Sequence, residues 1–254
     1  SQTVGMSSLM SLFHRSPVSK LPADDKPVLV SYPKAGRTWL RVLLDELGVE
    51  VHCTHDRSDH SKRAHFNTLR ASKKDYAPRR VIFMARDPRD TVVSGFFQCT
   101  ARNNYFAGDM AAFIRDPRHG MPKICHFYAQ WARESLKLPQ CYLVKYEDLH
   151  ADCAHELQNL YRFLEGRDAP PERIEAALAA GKFDVMKSRE KTGFYKEKFG
   201  DALTIEGEKK PEAAKTRRGK VGGFVDYLSS EDQKYCLEVM KNAGFPFEYG
   251  QNEA

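Results

Sequence analysis

Lys34, Gly36, Arg37 and Thr38 sit within eight residues, "YPKAGRTW" (Tyr32–Trp39), between a short apolar run and a strongly helical one. A Gly-containing turn that enters a helix presents backbone N–H groups at the positive end of the helix dipole, where phosphate-like anions bind. Gly36 lets the backbone approach such an anion closely, Thr38 adds a hydroxyl donor, and Lys34 reaches over it as a mobile point charge. The kinase-type order Gly-x-x-x-x-Gly-Lys-[Ser/Thr] is not met, because the Lys precedes the Gly by two residues. A second grouping pairs Arg86, at the end of the apolar run "RVIFMA", with Ser94 eight residues later. Eight residues on a helix is a little over two turns, so Ser94 can face the anion that Arg86 meets at a strand's carboxyl end. A third, "TRRGKVGGF", sets Arg217, Arg218, Gly219 and Lys220 among glycines, a composition suited to a flap whose guanidiniums fork onto phosphate oxygens.

These groups need elements to hold them. "PVLVSY" (27–32), "VEVHC" (49–53), "RVIFMA" (80–85) and "CYLVKY" (141–146) read as strands. Between them lie helical patterns. "GRTWLRVLLDELG" stops at Gly48, "RDTVVSGFFQCTA" is capped by Asp87 with Pro88 at its first position, "PKICHFYAQWARESLKL" ends at Pro139, and "HADCAHELQNLYRFLEG" follows the last strand. Strands alternating with helices predict an α/β fold, a central parallel sheet flanked by helices. Residues 54–80 read as a polar excursion. From Glu190 to Gly223 the periodicity fades into a long charged loop, and "SSEDQKYCLEVMKNAG" predicts a final capped helix.

The 254 residues suit one domain, expected over 27–250, after an N-terminal arm over 1–26 whose first five residues read as a tag remnant ahead of Met6. The formal net charge of +6 favours an anionic ligand but is too weak and too spread out to argue for nucleic acid. Six scattered cysteines without a Cys-x-x-Cys pair read as free thiols of a reducing, cytoplasmic compartment. No apolar stretch approaches a membrane span, and no carboxylate–histidine cluster has metal-ligand spacing, so no metal is expected.

Taken together, these motifs resemble the sulfotransferase family that uses 3′-phosphoadenosine-5′-phosphosulfate (PAPS). The family's 5′-phosphosulfate loop, Tyr-Pro-Lys-Ser-Gly-Thr-Thr-Trp, is matched at six of eight positions by Tyr32–Trp39. Its strand-end Arg and following Ser match Arg86 and Ser94, its Tyr-Glu-Asp matches Tyr146, Glu147 and Asp148, and its flap Arg-Lys-Gly-x-x-Gly-Asp-Trp is echoed by "RRGKVGGF". The resemblance spans about Val28 to Leu228 and implies the P-loop-NTPase-like sulfotransferase fold. It implies sulfuryl transfer from PAPS, leaving adenosine 3′,5′-bisphosphate (PAP), to a hydroxyl or amine.

By the same resemblance, Lys34 contacts the bridging oxygen of the donor, and residues Ala35, Gly36, Arg37, Thr38 and Trp39 hold the 5′-phosphate. Trp39 also stacks on adenine, with Phe183 on the other face and Tyr146 touching the nucleotide. Arg86, Ser94, Arg217, Arg218 and Gly219 clamp the 3′-phosphate. The base of a Lys-Thr-His segment maps onto His55 in "CTHD", with His60 and His65 as rivals in the same excursion. Departures are Ala35 for the loop's Ser, Arg37 for a small polar residue, and Gly223–Phe224 for the flap's Asp-Trp, which leaves the flap's anchoring open. The animal dimer segment Lys-x-x-x-Thr-Val-x-x-x-Glu has no match after Phe224, so the oligomeric state stays open. The acceptor is a small molecule, glycan or lipid. Nucleotide or small-molecule kinases and non-catalytic anion-binding proteins are the competing classes; the first requires magnesium and ATP, and the second leaves Lys34 and His55 dispensable.

Overall fold

The structure is a computed structural model describing residues 21–199, 220–245, 247 and 249. Four strands, β1 (Val28–Ser31), β2 (His52–Thr54), β3 (Val81–Ala85) and β4 (Cys141–Lys145), form a parallel sheet in the order β2-β1-β3-β4. The helices are α1 (Arg37–Glu46), α2 (Pro88–Phe97), α3 (Met110–Arg115), α4 (Met121–Ser135), α5 (Tyr146–Ala151), α6 (Cys153–Glu165), α7 (Pro171–Ala180), α8 (Phe183–Lys191), α9 (Phe194–Phe199) and α10 (Ser230–Asn242).

β1 and β3 are buried along their whole length because both faces of a parallel sheet are covered. Side chains alternate between the two layers. Val28, Val30, Val81, Phe83 and Ala85 pack with residues of α2, α3, α4 and α10. Leu29, Ile82, Met84 and Val144 pack with α1, α6 and α7. The register pairs Val28 with Val81 and Ser31 with Met84, so the loops leaving β1 and β3 emerge side by side. That adjacency positions the site.

Three expectations are corrected. The second strand lies at His52–Thr54 rather than 49–53, because Val49 and Val51 are spent closing the helical layer and the Val49 N–H donates to Leu44 O at 2.9 Å. The expected long loop is helical over its first part: α9 buries Tyr195 against Val42, Ala180 and Met186. The excursion over 54–80 is tied down in its middle rather than left to solvent. Buried Asp56 accepts from Lys73 Nζ at 2.6 Å, Tyr76 OH at 2.8 Å and Trp131 Nε1 at 3.1 Å. A buried carboxylate needs such partners, and here they fix the excursion to α4.

Of the stretch read as an arm, residues 21–26 are described. Asp24 pairs with His52 at 2.8 Å and with Arg79 at 3.2 Å, and Arg79 also donates to Pro22 O at 3.0 Å. All six cysteines are free. Among the described residues, no helix is long and apolar enough to cross a membrane.

Candidate active site

The turn leaving β1 adopts a backbone that most residues avoid. Lys34 has φ +71° and Gly36 has φ +96°, so two left-handed positions fold the chain sharply back into α1. Gly36 is the N-cap and brings no side chain to cap this helix end. The first-turn N–H groups of Arg37, Thr38 and Trp39 are thus the kind that helix geometry leaves for an external acceptor. Ala35 is fully buried and its N–H donates to Tyr32 O at 3.3 Å, closing the turn.

Arg86, at the end of β3, is brought against this turn. Its Nη1 donates to Lys34 O at 3.0 Å, its guanidinium lies 4.3 Å from the centre of the Tyr146 ring, and its Nε is buried without a hydrogen-bond partner among the described residues. A buried, partly unsatisfied guanidinium at the carboxyl edge of a parallel sheet fits an anion. Tyr146 is the keystone. A Cβ added to Gly36 would lie 2.5 Å from its Cδ2 and 3.0 Å from Met84 Cε. Gly36→Ala is therefore expected to cost about 2 kcal/mol or more, from the left-handed φ and the displaced ring, measured as a lowered urea midpoint. An unchanged midpoint would show that the ring moves freely.

Trp39 lies edge-on to Tyr146, with centroids 5.6 Å apart, and 5.1 Å from the His150 ring. His150 pairs with Tyr146 OH at 3.1 Å. The sequence reading missed His150, although its place four residues after Tyr146 puts it one helical turn away on the same face. Glu147 accepts from the Asp87 N–H at 2.8 Å and from Tyr249 OH at 2.6 Å, locking the start of α2 to β4's end. Phe183 stands 44% exposed at the start of α8.

Ser94 is buried on α2, two turns beyond Arg86. An open pocket of about 320 Å³ lies alongside, lined by Arg86, Asp90, Val93, Lys220, Gly223, Asp226 and Tyr227. Residues that follow the charged stretch thus line one pocket with Arg86. Arg217, Arg218 and Gly219 lie outside the described residues. The departure at Gly223–Phe224 is accommodated: Phe224 is buried, with the Arg89 guanidinium 4.2 Å from its ring centre.

The three histidines of the excursion have different surroundings. His55, just past β2, donates from Nδ1 to Ser31 O at 2.8 Å. The other ring nitrogen, Nε2, then carries the lone pair of the neutral imidazole. Burial, helped by the Arg37 charge, lowers the His55 pKa to about 4. His60 is turned inward, with Nδ1 3.0 Å from His119 Nδ1, and Cys99 completes a tight group. The charge of buried Lys123 presses on all three and opposes a bound cation there. His65 accepts from the Asn67 N–H at 3.1 Å and lies against the Phe66 ring. His55 is tied directly to the end of β1, since its partner Ser31 is the last residue of that strand, and the His60 ring lies edge-on to Tyr32 with centroids 5.9 Å apart.

A parallel sheet with a glycine-capped anion turn after its first strand and a strand-end arginine beside it defines a nucleotide- or phosphate-handling α/β protein. The match to known proteins narrows this class. The model of the sulfotransferase domain matches residues 76–244, more than half of the chain, and the chain belongs to that family. It is 26% identical over 274 residues to a 3-beta-hydroxysteroid sulfotransferase of Cavia porcellus, covering 89% of this chain and 86% of the relative. It is 26% identical over 212 residues to sulfotransferase 1 family member D1 of Mus musculus, covering 68% and 70%. In fold it is similar to a mouse sulfotransferase complexed with PAP, with TM-score 0.64, 18% identity and 87% of this chain and 84% of the other covered. It also resembles retinol dehydratase in complex with androsterone and inactive cofactor PAP, with TM-score 0.60, 15% identity and coverage of 90% and 83%.

Proposed function

We propose that the chain transfers a sulfuryl group from PAPS to a hydroxyl or amine of a small-molecule, glycan or lipid acceptor, through one sulfotransferase domain over residues 27–250. The observation that carries this reading is the junction of Lys34 and Arg86: one turn offers helix N–H groups on one side and holds a half-satisfied guanidinium on the other. The residues fit the donor. The left-handed Gly36 lets the turn close tightly against Tyr146, and the buried Arg86 Nε has no hydrogen-bond partner among the described residues.

When bound, the donor supplies the sulfuryl group and a phosphate leaving group. The residues of this chain then do the following. N–H groups of Gly36, Arg37, Thr38 and Trp39, with the Thr38 hydroxyl and the backbone of Ala35, hold the 5′-phosphate. Lys34 Nζ meets the bridging oxygen, where negative charge grows as its bond to sulfur breaks. Trp39 and Tyr146 hold the adenosine, with Phe183 closing over it. Arg86, Ser94, Arg217, Arg218 and Gly219 hold the 3′-phosphate, the fork of each guanidinium matching two phosphate oxygens.

His55 Nε2 takes the acceptor's proton as its oxygen or nitrogen bonds to sulfur, and the Ser31 carbonyl holds the ring in the required tautomer. His60 is the poorer base because its Nδ1 is committed to His119 and its buried Nε2 faces Gly95 of α2, although its ring touches Tyr32, and His65 because its Nδ1 accepts from the Asn67 N–H. Sulfuryl transfer carries less charge than terminal phosphoryl transfer, so orientation and these cations suffice without a magnesium clamp. The six thiols suit a reducing compartment, the cytoplasm.

The test is transfer of radiolabelled sulfate from PAPS to a panel of phenols, aliphatic alcohols, amines, glycans and lipids. Label appearing in at least one acceptor class supports the reading. PAPS that binds but is never turned over on any of them would favour a non-catalytic anion-binding protein.

A further inference from the structure

A carboxylate in a pocket suited to phosphate calls for explanation. Asp90 lines the same pocket as Arg86, is only 4% exposed, and lies four residues further along the chain. Like charge would repel a phosphate, so Asp90 is not an anion ligand. Its two oxygens are instead committed to a distant segment. Oδ2 accepts the Gly222 N–H and Oδ1 accepts the Phe224 N–H, each at 2.9 Å.

Two further contacts reinforce that join. Asp87 caps α2 and accepts from Arg89 Nη2 at 2.8 Å, and Arg89 covers the buried Phe224 ring. The turn from Gly222 (φ +75°) through the short helix Gly223–Asp226 is thereby fastened to α2, the helix that follows Arg86 and carries Ser94. Fastened this way, Lys220 and Gly223 face the pocket that Arg86 also lines, where Lys220 Nζ donates to Asp226 Oδ2 at 2.9 Å. Burial pushes the Asp90 carboxyl upward, which marks this as an expensive place for a carboxylate, while Arg86 and the two amides favour its charged form.

We propose that Asp90 is a positioning residue for the donor's 3′-phosphate: it holds the main chain at Gly222 and Phe224 so that Lys220 lies across from Arg86, where its ion pair with Asp226 gives way to the phosphate. The inference rests on the reading that Arg86 receives the 3′-phosphate. A carboxylate bridging two backbone amides, rather than a side-chain ion pair, sets the turn's position whatever residues occupy it. At Gly223–Phe224, where the family pattern has Asp-Trp, this contact anchors the turn.

The test compares two nucleotides that differ by the 3′-phosphate alone, PAP and adenosine 5′-monophosphate, by calorimetry on the full chain. Asp90→Ala is expected to weaken PAP about tenfold or more, while the 5′-monophosphate stays within about twofold of wild type. Asp90→Asn keeps one acceptor oxygen and should fall between wild type and Asp90→Ala; it carries the test if Asp90→Ala does not fold. Equal weakening of both nucleotides would reduce Asp90 to a structural residue and overturn the inference, as would no weakening of either. If wild type binds the 5′-monophosphate as tightly as PAP, or binds neither, the assignment of Arg86 to a 3′-phosphate fails instead, and the inference falls with it.

Discussion

Lys34→Ala is expected to lower kcat for sulfuryl transfer by about 10²–10³-fold, the usual loss when one preorganised charge or donor at a developing anion is removed. Only the side chain is lost. The main-chain contact that organises the turn, Lys34 O with Arg86 Nη1 at 3.0 Å, involves the carbonyl and survives the substitution. The helix N-terminus also survives, so PAP affinity should fall far less than kcat. The pairing of a large kcat loss with a modest change in PAP binding is what separates a charge that acts on the leaving group from one that merely binds it. Single-turnover transfer and PAP titration on the same preparation check this. Loss of PAP binding by as large a factor as kcat would show Lys34 to be a binding cation with no special part in the chemical step.

His55→Ala should lower kcat by about 10²–10⁴-fold, the range typical of a lost general base. The pH profile gives a second, independent readout. The active form is the neutral imidazole, with Nδ1–H committed to Ser31 O and the Nε2 lone pair turned to the acceptor. Protonation removes that lone pair, so activity is lost as pH falls through the His55 pKa. Burial and Arg37 hold that pKa at about 4. The acid limb of kcat/KM, which reports the free enzyme, should therefore stay flat through the ordinary imidazole range near 6.5 and fall only around pH 4. Arg37→Ala removes a nearby positive charge and should move that limb upward. A break near 6.5 in the wild type, or an Arg37→Ala limb that does not move, would place the base on another residue.

Much of this site was legible because its determinants are local. The anion turn needs one glycine after a strand and before a helix, and Lys34–Trp39 supplies it in a run that can be read without neighbours. Arg86 and Ser94 are likewise fixed by a strand end and a helical count. The parallel sheet followed from four apolar runs separated by helical patterns, and its order then put the β1 and β3 turns together. What escaped was set by partners remote in sequence. Val49 and Val51 look like strand residues, but the helical layer claims them. Phe194–Phe199 shows charge and aromatics without a clear stripe, and it becomes a helix because Tyr195 finds a groove beside Val42 and Met186. Asp56 looks like one more polar residue in a polar excursion until Lys73, Tyr76 and Trp131 converge on it. Asp90 reads as part of an ordinary first helical turn; its partners lie at Gly222 and Phe224, and no spacing rule links them.

The most direct measurement is isothermal titration calorimetry of the full chain with PAP, without added metal. Saturable binding of one nucleotide per chain is predicted, weakened about tenfold or more in Arg86→Ala by the loss of a charged partner for phosphate. No heat of association across millimolar nucleotide, in a sample shown to be folded by its thermal transition, would contradict a grip on both phosphates of this adenosine.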